Sequence, residues 1–80
     1  MQIIWIVHLL PVEDGDNLKF FGMSDRLGIL LRDMQEYIKK VYPDAAVGIS
    51  EVYTNMFNVN VRPEPGAEEF DLFEVSLERV

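Results

Sequence analysis

The amino-acid sequence predicts an α+β domain: an antiparallel or mixed sheet of about four to five strands, with one amphipathic helix near residues 24–42 packed on one face. Three observations predict it. A β-branched and aromatic run opens the chain, one stretch repeats its apolar residues at spacings of three and four, and the pattern beyond Asp44 changes to a period of two. Eighty residues, 49% of them hydrophobic, form one domain over 1–80, and the absence of cysteine leaves its core without disulfides or thiolate metal sites.

The opening run, residues 2–10, contains Ile3, Ile4, Trp5, Ile6, Val7, His8, Leu9 and Leu10 without alternation, which suits a strand covered on most of both faces. It lacks the basic flank and small-residue cleavage site of a secretory leader, and a run of eight residues is too short for a membrane span of about 20. The expectation is an intracellular, cytoplasmic protein. Glu13, Asp14, Gly15, Asp16 and Asn17 carry hairpin-turn chemistry, because Asp-Gly accepts the positive φ that tight turns require. Leu18 to Phe21 then returns as a short second strand ending at Gly22.

Ser24 is the expected N-cap of the helix, with Asp25 in the first turn facing the positive end of the dipole. Leu27, Leu30, Leu31, Met34, Ile38 and Val41 form one apolar stripe. Arg32, Asp33, Gln35, Glu36, Lys39 and Lys40 lie opposite, and Pro43 stops the helix after Tyr42. Gly28 lowers helix propensity by about 1 kcal/mol relative to Ala, so a neighbouring strand is expected to pack closely there.

Beyond Asp44, Ala45, Val47 and Ile49 alternate with Ala46, Gly48 and Ser50. Phe57, Val59 and Val61 likewise alternate with Asn58, Asn60 and Arg62. Between them the phase slips at Val52 and Met56, which reads as a hairpin turning near Thr54 and Asn55 or as one long bulged strand. The hairpin is favoured, because a single strand would exceed the usual length of about 3–10 residues. Pro63, Glu64, Pro65 and Gly66 break the chain. A last strand starts near Phe70, with Phe73, Val75 and Leu77 facing in and Glu74, Ser76 and Glu78 facing out. One helix covers one face of such a sheet and leaves the other for solvent, a partner or a second copy.

Chemistry-bearing motifs are few. His8, the one histidine, sits in the most apolar segment with no nucleophile or carboxylate at a catalytic spacing. The acids around Asp14 and Asp16 are not followed by the further oxygen ligands of a calcium loop, and no glycine loop suits a phosphate. The expectation is a protein without catalysis, cofactor or metal.

Charge is the more informative property. The net charge of −7 disfavours direct contact with nucleic acid or anionic membranes. The acids also concentrate. Glu64, Glu68, Glu69, Asp71, Glu74 and Glu78 follow Pro63 and face a single base, Arg79. Such a stripe either docks on a basic groove or keeps an outer face solvated and an edge guarded. The expected function is that of a small acidic binding protein acting on a protein partner with a basic, nucleic-acid-binding surface, in the manner of a nucleic-acid-mimicking inhibitor such as a viral anti-defence protein. Glu68, Glu69, Asp71, Glu74 and Glu78 are the candidate partner-binding residues, with Asp14 and Asp16 as secondary ones. The alternative is a self-associating subunit, a homodimer through the uncovered sheet face or an edge strand. Phe20, Phe21, Tyr37, Tyr42 and Tyr53 are either interface anchors or core filling.

Overall fold

Alternation in the final strand decides the architecture, because that strand lies at the centre of the sheet. The computed structural model describes residues 2–11 and 17–79. Five strands, β1 (Ile3–Leu9), β2 (Lys19–Ser24), β3 (Ala46–Tyr53), β4 (Met56–Arg62) and β5 (Phe70–Arg79), form one sheet in the order β2-β1-β5-β4-β3. Every neighbouring pair is antiparallel. The single helix among the described residues, α1 (Leu27–Val41), crosses one face.

Directly paired residues of an antiparallel sheet share a face, so the register divides the side chains into two sets. Trp5, Val7 and Leu9 stand opposite Leu77, Val75 and Phe73, and Val75 and Phe73 stand opposite Phe57 and Val59. These form the covered face, onto which α1 sets Leu30, Met34 and Ile38. Phe21, Tyr37 and Phe73 pack as an edge-to-face trio, with Phe21 and Phe73 centroids 4.8 Å apart. Tyr42 meets Phe70 in the same way. Three of the five flagged aromatics therefore fill the core; only Phe20 and Tyr53 stand largely exposed.

Irregularities in three pairings adjust the phase. Phe21 in β2, Leu72 in β5 and Val52 in β3 are each the additional residue of a two-against-one register shift. At Leu72 the bulge sends two consecutive apolar side chains, Leu72 and Phe73, into the core. The hairpin expected near Thr54 and Asn55 is present, and the bulge at Val52 explains the phase slip, so both features share that segment.

Two local expectations at the start of the helix are corrected. β2 does not end at Gly22 but continues to Ser24, which pairs opposite Trp5. Ser24 is therefore a strand residue, and its Oγ accepts the Arg26 N–H at 3.0 Å in a local turn. The cap position is Arg26, without a side-chain cap, and no acid occupies the first turn, so Asp25 precedes the helix. Sheet pairing outweighed local capping preference. At the other end the Tyr42 N–H donates to the Ile38 carbonyl at 2.7 Å before Pro43.

The close approach expected at Gly28 occurs at Gly22. A Cβ on Gly28 would meet nothing within 4 Å, whereas one on Gly22 would lie 3.2 Å from Leu30 Cδ2. Gly48 is tighter, since its Cβ would fall 2.6 Å from Oδ1 of Asn60, a buried side chain whose Nδ2 donates to Ser50 Oγ at 2.7 Å. Opposite outcomes are expected in urea denaturation. Gly28→Ala should stabilise by about 0.4–1 kcal/mol, and Gly48→Ala should destabilise by about 1–2 kcal/mol by displacing the Asn60 amide. Equal effects at the two sites would contradict this placement.

Candidate protein-binding face

The face opposite α1 is built from the complementary set of strand positions. β1 contributes Ile4, Ile6 and His8, which pair with Glu78, Ser76 and Glu74 of β5. Met23 and Phe20 of β2 extend this surface outward, opposite Ile6 and His8. On the other side of β5, Met56 and Asn58 of β4 stand opposite Ser76 and Glu74, and Asn60 stands opposite Asp71. Ser50 and Gly48 of β3 complete the row. No described helix packs on this face.

Its chemistry is arranged in columns. The central strand presents Asp71, Glu74 and Glu78. The β1–β2 side presents apolar groups, with Phe20 and Met23 more than half exposed, and the β4–β3 side carries Met56, the Asn58 amide and the Ser50 hydroxyl, with the Asn60 amide buried among them. Glu74 and Glu78 are four positions apart on an extended strand, a separation of roughly 13 Å. Asp71 Oδ2 accepts from Asn58 Nδ2 at 3.2 Å, which ties the acidic column to the amide column.

The predicted partner-binding residues divide accordingly. Asp71, Glu74 and Glu78 come together on the open face, although the bulge at Leu72 is what turns Asp71 onto it. Glu68 and Glu69 precede β5 and are exposed. Glu69 Oε2 lies 3.7 Å from Arg62 Nη2, with both side chains half exposed, so its charge is partly answered within the chain at a modest gain in stability. Asp14 and Asp16 lie outside the described residues.

His8 stands edge-on to Phe20 at 6.2 Å and directly across from Glu74, so it is part of this face. The apolar column was not singled out in the sequence. The signal was present at the even positions of β1, Ile4, Ile6 and His8, but the odd positions are equally apolar and conceal the alternation. Compared with protein-family models, curated proteins and solved structures, the chain matches none. The arrangement of side chains on this face must therefore carry the functional reading. No helix among the described residues is long and apolar enough to cross a membrane.

Proposed function

We propose that this chain is a non-catalytic binding protein that applies its open sheet face to a basic, nucleic-acid-binding surface of a protein partner. The observation that supports this reading is the column Asp71, Glu74 and Glu78 on the central strand, which has no cation partner among the described residues. The one ion pair among the described residues joins Arg62 to Glu69 instead. Carboxylates on a strand accept charge-assisted hydrogen bonds from Lys and Arg with the backbone already ordered, so that only their side chains lose freedom on binding. The apolar column beside them supplies the desolvated contact that acids alone lack, with Phe20 and Met23 as anchors.

The net charge of −7 disfavours nucleic acid itself as the ligand and favours a surface that ordinarily holds it. Inhibition would follow from occupancy, with neither cofactor nor metal required. This is the mode of a nucleic-acid mimic, and viral anti-defence proteins are the class it fits by charge; the cytoplasm is the setting where such a partner would be met. The test is competition. A fluorescent DNA duplex bound to a basic DNA-binding domain should be released as the protein is added, and the release should weaken steeply with added salt. Failure to displace the duplex at low salt would overturn the proposal.

A further inference from the structure

The two edges of the sheet are not alike. β2 is short, begins with Lys19 and is kinked by its bulge at Phe21, all features that discourage further pairing. β3 has none of them over most of its length. It is eight residues long, pairs regularly from Ala46 to Glu51 and contains neither Pro nor Lys. It also exposes Val47 and Ile49, 51% and 64% accessible, on the helix side of the sheet. In a chain with fourteen acidic residues, this strand carries one charge, Glu51. A basic partner has little to recognise along this edge, whereas an identical strand does.

We propose that β3 is a self-association edge, at which two copies of the chain pair antiparallel about a two-fold axis normal to the sheet. Such an axis keeps both helices on one side. It also matches only residues of like parity, because direct antiparallel partners share a face. The register with Gly48 opposite Gly48 of the second copy sets Val47 against Ile49 of the second copy, and Ile49 against its Val47. The exposed apolar pair of each copy thereby covers the other.

The same register delivers Glu51 opposite Ala45 of the second copy. Ala45 lies in a groove between α1 and β3 lined also by Ile38, Lys39, Tyr42 and Val47. The one charge on the edge therefore enters a groove that supplies Lys39, twice by symmetry, and no two acids are placed face to face. Shifting the axis to Ile49 would set Glu51 against an exposed Val47 instead. The acidic column of each copy stays on the opposite face, so this association leaves the proposed binding face clear and stands independently of it.

The test is sedimentation of the full chain over a concentration series up to about 1 mM, the weak end of specific association. A reversible dimer is expected. It should strengthen with salt, because screening relieves the repulsion between two chains of −7. Ile49→Lys, at an exposed position, should weaken the dimer more than tenfold while the circular dichroism spectrum is retained, and Val47→Lys should act alike. Glu51→Lys should also weaken it, and adding Lys39→Glu to Glu51→Lys should restore it. A monomer at every concentration and salt, a dimer indifferent to Ile49→Lys, or a Glu51→Lys defect that Lys39→Glu leaves unrepaired would each overturn the proposal.

Discussion

Phe73→Ala is expected to destabilise the domain by about 3–5 kcal/mol, the usual range for truncating a fully buried aromatic. A domain of 80 residues has about 4–12 kcal/mol of stability in all, so the variant should lose between about a quarter and all of it. Phe73 is completely buried and occupies the meeting point of four elements. It pairs with Leu9 of β1 and Val59 of β4 across the sheet, while its ring packs on Phe21 of β2 and Tyr37 of α1 at 4.8 and 5.6 Å. Two rings would lose a common partner, and because Phe21 and Leu72 sit at bulges, neither strand can slide to close the space without losing register. Urea denaturation followed by circular dichroism measures the loss, with Phe73→Leu as a milder reference. A cost for Phe73→Ala below about 1 kcal/mol would mean that the core is not centred where it has been described.

Glu74→Lys combined with Glu78→Lys should reduce the affinity for a basic partner by far more than tenfold, about 1.4 kcal/mol, while leaving the fold intact. Both side chains project from the open face, and neither contributes to the buried cluster. A lysine at either position can extend its stem along Ile4, Ile6 or Met56 and keep its ammonium in water. The two changes move the net charge by +4, from −7 to −3, so lost affinity alone would not separate the column from simple acidity. Glu64→Lys with Glu68→Lys makes the same change in charge at exposed positions outside the sheet. In the duplex-competition assay the first pair should abolish displacement and the second should preserve most of it. Equal losses would show that bulk charge, and not the column, governs binding.

Most of the fold was legible because two periods dominate the chain. The 3.6-residue stripe from Leu27 to Val41 located α1, and the alternation around Phe73, Val75 and Leu77 located β5 and assigned its inner and outer faces. What local reasoning missed was decided by distant pairing. Ser24 has every property of a helix cap, yet its backbone is held opposite Trp5 by the sheet. Gly28 looked like a site of close approach because it is a helical glycine. The approach falls at Gly22 because that residue lies beneath Leu30.

The candidate site was legible in the same partial way. Glu74 and Glu78 follow from strand alternation alone. Asp71, an odd position, shares their face only because Leu72 bulges, and no local signal announces that bulge. The apolar column could not be read at all from β1, where both faces carry Ile, Val or Leu. Its exposure depends on there being one helix for two faces among the described residues.

The most direct measurement is an NMR titration of the isotopically labelled protein with a short arginine-rich peptide. The account predicts amide shifts concentrated at Glu74, Ser76 and Glu78, and at the facing residues Ile4, Ile6, His8 and Asn58, with the helix and residues 64–69 changing little. Shifts centred on residues 64–69, or spread over all the acids in proportion to their exposure, would contradict it.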